Sequence, residues 1–213
     1  MNRLLKILFL VLIIRPLVLV IFGLNVRHRT RLPLDGPAII VANHNSHMDT
    51  VVLISLYPIR HLFKLRPVAA ADYFMSNRFM TWFSLKIMGI IPIDRRSREK
   101  GENPFQGVTD AIENGDIVIL FPEGTRGEPE QMAEFKKGVS HLIERHPDVP
   151  VTPVFIHGAG KALPRGSWFP VPFFCDVFIG TPLGWPGSRE AFMTALREAM
   201  TRLAKEGDFS PWE

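Results

Sequence analysis

The sequence predicts an α/β domain, a single mixed and partly parallel sheet flanked by helices, preceded by an apolar helical segment at the N-terminus. Three observations carry that prediction. Short runs rich in Val and Ile alternate with amphipathic helical patterns, the arrangement of strand–helix units. Polar clusters sit directly after the apolar runs, where strands of such a sheet present their carboxyl ends. A long apolar stretch with an interrupted middle opens the chain, ahead of the alternation.

The elements follow in order. Ile7 to Ile14 is unbroken apolar sequence, Arg15-Pro16 interrupts it, and Leu17 to Leu24 resumes it. As one helix, residues 7–24 extend roughly 27 Å at about 1.5 Å per residue, against a hydrocarbon core of roughly 30 Å. A central arginine costs about 2.5–3.5 kcal/mol on insertion scales, and Pro16 removes a backbone donor. Arg3 and Lys6 precede the run and Arg27, Arg29 and Arg31 follow it, so the charge asymmetry sets no orientation. No small-residue cleavage site follows Phe22-Gly23-Leu24-Asn25. Residues 1–26 therefore read as a retained membrane-binding segment, re-entrant or lying in the interface, ahead of a domain over 27–213. A single span and a cleaved signal peptide are the alternatives.

Strands are predicted over 38–42, 67–71, 117–121, 151–156 and 174–179. Helices are predicted over 47–57, 73–88, 104–114, 135–145 and 188–205. The last has the clearest stripe, with Phe192, Leu196, Ala199, Met200 and Leu203 on one face and Ser188 as N-cap. Residues 158–173, dense in Gly and Pro, read as a loop.

Composition narrows the partners. The chain has 213 residues, enough for one full core, and 46% of them are hydrophobic. Net charge +4 and a pI near 9.5 favour an anionic partner: nucleic acid, an anionic membrane or a phosphorylated substrate. The apolar N-terminus places the membrane ahead of nucleic acid, and no nucleic-acid partner is expected. The lone Cys175 permits no internal disulfide and lies in a strand pattern as a core residue. No metal-ligand constellation stands out, since His141 and His146 are five residues apart and His157 stands alone; no Gly-rich phosphate fingerprint is present either.

Three polar clusters carry the chemistry. The first, Asn43-His44-Asn45-Ser46-His47-Met48-Asp49, follows 38–42. Ser46 and Asp49 match the capping pattern of a helix start, which makes His44 incidental. Alternatively His44 stands in the loop and Asp49 in the first turn. The carboxylate then fixes one ring nitrogen so that the other acts as a base. On a regular helix the two would lie about 140° apart, so contact needs the loop to fold back. Local sequence leaves both open. No Ser or Cys has a nucleophile setting, so a base would act on a substrate hydroxyl.

In the second cluster Asp94-Arg95-Arg96 follows Gly89-Ile90-Ile91-Pro92-Ile93, and Arg95 is the residue placed to point inward at a phosphate. A solvated charge run is the alternative. The third, Phe121-Pro122-Glu123-Gly124-Thr125-Arg126, is a tight turn with exposed backbone donors. Arg126 is a second phosphate candidate, and Glu123 either supports the site or pairs with it. Lys136 and Lys137 open the next helix and read as surface charge, with reach into the site as the alternative.

Taken in order, these clusters resemble the glycerolipid acyltransferases, specifically the 1-acylglycerol-3-phosphate (lysophosphatidate) acyltransferases. Residues 43–49 are similar to the family's Asn-His-x-Ser-x-x-Asp motif, and residues 89–95 to its second motif. Residues 121–126 are identical to its Phe-Pro-Glu-Gly-Thr-Arg core, and Val151-Thr152-Pro153-Val154 is similar to its fourth motif. Gly127 stands where serine is usual, and Thr152 intrudes before Pro153. The resemblance spans about residues 36–182.

It implies His44 as general base, Asp49 as its orienter, and Arg95 and Arg126 as ligands of the acceptor's phosphate. Glu123, Gly124 and Thr125 then shape the pocket. It further implies a lysophospholipid acceptor, namely lysophosphatidic acid converted to phosphatidic acid. The donor is acyl-CoA or acyl carrier protein, with no other cofactor, and the site lies at the cytoplasmic face of a phospholipid membrane. The same chemistry on glycerol 3-phosphate or another lyso-lipid, a hydrolase, and a non-catalytic lipid-binding protein are the rivals.

Overall fold

Seven strands form one sheet in the order β1-β7-β6-β2-β5-β3-β4 in the computed structural model, which describes residues 2–46, 48–71, 77–94, 103–125, 127, 132–162 and 173–209. The strands are β1 Phe22–Arg27, β2 Ala38–Ala42, β3 Leu65–Ala70, β4 Ile91–Ile93, β5 Ile117–Leu120, β6 Val151–His157 and β7 Phe173–Ile179. All neighbouring pairs are parallel except β6 with β7. The mixed, partly parallel sheet predicted from the alternation is therefore present.

Both faces of the sheet are covered, which explains the near-continuous apolar runs. Ala38, Ile40 and Ala42 of β2 face a core shared with Ile117, Ile119, Val154 and Ile156 and with the N-terminal helices. Ile39 and Val41 face the opposite core, built with Val118, Phe155 and the helices Gln106–Glu113, Gly138–Arg145 and Arg189–Glu206. Helix Arg189–Glu206 starts as the sequence indicates, with Ser188 Oγ accepting from the Ala191 N–H at 3.2 Å. Cys175 is buried in the first core.

Two strands were not foreseen. The Ile91–Ile93 stretch, an apolar approach in the sequence, pairs with β3 as an edge strand. Phe22–Arg27 pairs in parallel with β7, so the last residues grouped with the N-terminal segment belong to the sheet. Their alternation is legible: Phe22 is buried, Leu24 and Val26 half-buried, and Gly23, Asn25 and Arg27 exposed. The preceding apolar run merges with this pattern and hides it.

Upstream, helix Asn2–Phe9, a π-helical turn Leu10–Ile14 and helix Arg15–Ile21 follow one another without a break. The widened turn immediately before Pro16 accommodates the proline's missing N–H. Lys6, Leu10, Ile14, Val18 and Phe22 recur every four residues and are buried against the domain. Arg15, the residue that argues against a spanning helix, donates to the Tyr57 carbonyl at 2.9 Å, and Arg29 donates to the Leu56 carbonyl at 2.8 Å. Both cap carbonyls beyond helix Met48–Ser55. No helix among the described residues is long and apolar enough to cross a membrane. The helix expected over 73–88 is described from Arg78 onward, as α-helix to Trp82 and π-helix over Phe83–Met88.

Candidate active site

The parallel strands β2, β5, β3 and β4 end on one edge of the sheet, and the three polar clusters leave from that edge. The first and third clusters follow adjacent strands. Asp94 follows β4, two strands further on; Arg95 lies outside the described residues, as does Arg126.

His44 and Asp49 meet. The ring nitrogen Nδ1 lies 3.0 Å from Asp49 Oδ2, and that same oxygen accepts the Asn45 N–H at 2.7 Å and the Ser46 N–H at 2.8 Å. The carboxylate reaching back to the Ser46 N–H, together with Ser46 Oγ accepting from the Met48 N–H at 3.3 Å, is the reciprocal cap suggested by the sequence. Capping and orientation therefore coexist on one oxygen atom. A carboxylate donates nothing, so Nδ1 carries the proton in this pair and Nε2 is left as an acceptor. Asp49 is fully buried, while the His44 side chain keeps 16% of its surface exposed. The imidazole is thus only partly buried, beside a carboxylate that is sealed inside.

The imidazole is fixed in two further ways. Phe121, at the end of β5, stacks on it with centroids 4.2 Å apart and planes 23° apart. Glu123 Oε1 accepts the His44 backbone N–H at 3.1 Å, and the Gly127 N–H donates to the His44 carbonyl at 3.1 Å. The turn after β5 is consequently stitched to the loop after β2 at both ends. Glu123 is 2% exposed; burial pushes its carboxyl up, opposed by the backbone N–H groups of His44 and Ala133. Gly124 and Thr125 are exposed at the tip of the turn.

Asn43 and Asn45, which the motif reading left without roles, brace the loop. Asn43 Nδ2 donates to the Ile156 carbonyl at 2.8 Å, and its Oδ1 accepts the Ile156 N–H at 2.7 Å. An amide matches both backbone groups of one residue, so the end of β2 is clamped to β6. Asn45 Nδ2 adds a longer contact to the same carbonyl at 3.4 Å. The sequence signal for the clamp was a polar residue directly after a buried strand. Among the described residues, no three His, Cys, Asp or Glu side chains converge as metal ligands.

A family model described as Acyltransferase matches residues 23–157, from the first strand through the end of β6. The chain is 29% identical over 147 residues to the chloroplastic 1-acyl-sn-glycerol-3-phosphate acyltransferase of Arabidopsis thaliana, covering 68% of this chain and 39% of that protein. It is 28% identical over 188 residues to the 1-acyl-sn-glycerol-3-phosphate acyltransferase alpha of Mus musculus, covering 85% of this chain and 64% of that one. It thus spans less than two thirds of the length of either relative. The crystal structure of the 1-acyl-sn-glycerophosphate (LPA) acyltransferase of Thermotoga maritima superposes with a TM-score of 0.74 at 23% identity, over 93% of this chain and 77% of that one. That likeness shows the fold. With the matched region holding β2, β5, β6 and the His44–Asp49 pair between them, the chain belongs to the Acyltransferase family.

Proposed function

We propose that this protein is a 1-acylglycerol-3-phosphate acyltransferase, moving an acyl group from a thioester donor to the free hydroxyl of lysophosphatidic acid. The observation that carries it is the hydrogen bond from His44 Nδ1 to the buried Asp49 carboxylate, which leaves Nε2 as a base at the rim of the site. The names of the relatives support the acceptor. Nε2 takes the hydroxyl proton as the acceptor oxygen attacks the thioester carbonyl. The carbon–oxygen bond forms, the carbon–sulfur bond breaks, and the proton passes to the departing sulfur. Asp49 stabilises the imidazolium formed in between. Exchanging a thioester for an ester runs downhill, so the donor itself supplies the driving force.

Arg95 and Arg126 are assigned to the acceptor's phosphate by their motif positions, with Glu123, Gly124 and Thr125 forming the adjoining turn. Acyl-CoA or acyl carrier protein serves as donor, and no further cofactor takes part. The protein works at the cytoplasmic face of a phospholipid membrane. Leu4, Leu8, Leu12, Ile13 and Val20 of the N-terminal helices are exposed, as are Phe79 and Trp82 beyond them. Surface leucines at such density support a helix lying along the membrane.

The test offers purified protein a labelled acyl-CoA or acyl carrier protein with lysophosphatidate, glycerol 3-phosphate and other lyso-lipids. Lysophosphatidate should be the preferred acceptor. His44→Ala should fold and lose about 10²–10⁴-fold in turnover, the usual contribution of a general base. Thioester hydrolysis that ignores every acceptor would overturn the transferase reading, and full activity in His44→Ala would overturn the base.

A further inference from the structure

Gly124 turns the chain at φ +68°, in the left-handed region, and a Cβ built there would lie 3.0 Å from both Cδ and Nζ of Lys136 and 3.2 Å from its Cε. The glycine therefore does two things: it permits the turn, and its missing side chain leaves the space across which the lysine lies. Lys136 is held in that seat from its own backbone. Its N–H donates to the Pro122 carbonyl at 2.8 Å, and the preceding Phe135 is buried in the core. The seat itself adjoins the base, because Glu123 Oε1 and the Gly127 N–H grip the two ends of the His44 peptide at 3.1 Å each.

The ammonium has no carboxylate partner among the described residues. Glu123, the acid of the same turn, is buried and faces the backbone N–H groups of His44 and Ala133. A cation is thus delivered to the exposed tip of the turn that flanks His44, with its charge available to a ligand.

We propose that Lys136 binds the acceptor's phosphate, its ammonium lying over Gly124 and helping to set which headgroups the site accepts. The proposal rests on the acyltransferase reading above. A phosphate monoester offers three acceptor oxygens and up to two negative charges, which suits a compact ammonium with three donors. An uncharged headgroup offers that ammonium no charge to pair with, so the lysine discriminates by charge while His44 acts on the hydroxyl alike in both cases.

The test compares the wild type with Lys136→Met and Lys136→Arg, using Lys137→Met as the neighbouring control, since the Lys137 side chain is exposed and only its backbone carbonyl is engaged, accepting from Ser140 Oγ and the His141 N–H. KM and kcat are measured for lysophosphatidate and for uncharged monoacylglycerol, with oleoyl-CoA as donor. Lys136→Met should raise the lysophosphatidate KM about tenfold, the lower range for a hydrogen bond to a charged group because Lys136 is exposed. The donor KM, the melting temperature and any monoacylglycerol acylation should stay at wild-type values. Lys136→Arg should recover most of the loss, and Lys137→Met should match wild type. Should Lys136→Met fail to fold, Lys136→Gln takes its place. An unchanged lysophosphatidate KM, or an equal loss with both acceptors, overturns the assignment. If the wild type acylates no lysophosphatidate with either oleoyl-CoA or oleoyl acyl carrier protein, the acyltransferase reading falls separately. Lys136 is then judged by calorimetric binding of glycerol 3-phosphate, where weaker binding in Lys136→Met sustains the anion site and equal binding removes it.

Discussion

Asp49→Asn separates the orientation of His44 from the capping of the helix that Asp49 begins. In the folded protein one carboxylate oxygen receives three donors: the N–H groups of Asn45 and Ser46 and Nδ1 of His44. The amide oxygen of Asn takes the same place and still accepts from both backbone groups, so the cap is kept, while the new NH2 replaces Oδ1, which is buried without a hydrogen-bond partner, and costs about 1–3 kcal/mol of stability. The charge is lost, and that matters only when the ring becomes an imidazolium. At the 3.0 Å separation of Nδ1 and Oδ2, and an effective dielectric of about 20, the attraction between imidazolium and carboxylate is roughly 5 kcal/mol. A neutral amide keeps the hydrogen bond and forfeits most of that attraction. A loss of about 3–4 kcal/mol from the transition state corresponds to roughly 10²–10³-fold in kcat. The assay is acyl transfer at saturating lysophosphatidate and oleoyl-CoA, with thermal unfolding in parallel. Activity within tenfold of wild type in Asp49→Asn, beside a clear drop in melting temperature for Asp49→Ala, would show that capping is the whole task of Asp49 and refute the orienting role.

Two further predictions concern the N-terminal helices. Burial, with Arg66 alongside, lowers the Lys6 ammonium from 10.5 to about 8, Asp116 pulling the other way. The unfolded chain then holds more protons than the folded one between pH 8 and 10.5, so stability rises with pH across that window. Lys6→Met should remove this penalty, stabilising the protein at pH 7 by up to about 3 kcal/mol, with the gain fading as pH approaches the unfolded value; a melting temperature difference that ignores pH would contradict it. Replacing exposed Leu4, Leu12 and Val20 together by Gln should abolish flotation with anionic phospholipid vesicles while the melting temperature holds, and undiminished flotation would sink the membrane-surface reading. Deleting the segment is the poorer experiment, because Leu10, Ile14 and Val18 form part of the core.

Much of the fold was legible because burial on both faces forces continuous apolar strands, as in Ala38–Ala42 and Ile117–Leu120, where every residue is buried. The amphipathic helix Arg189–Glu206 and its Ser188 cap are local features, set by periodicity and one hydroxyl, and so were readable without a fold. The order of the three polar clusters was readable for the same reason, since residue types at short spacing are a property of the chain alone. What the sequence left even was the task of Asp49. Five residues apart, it and His44 diverge on a regular helix, and only the folded-back loop brings Nδ1 to Oδ2. That loop is held by groups distant in the chain: Asn43 on Ile156, 113 residues away, and Glu123 on the His44 N–H, 79 residues away. Phe121 under the imidazole, 77 residues from His44, belongs to the same class. Such contacts arise from strand order, which places β5 and β6 on either side of β2, and no local pattern encodes strand order. The N-terminal run shows the boundary between the two kinds of information. Its composition is uniformly apolar from Leu17 to Leu24 apart from Gly23, yet β7 draws Phe22 onward into the sheet because an unpaired strand edge is satisfied there.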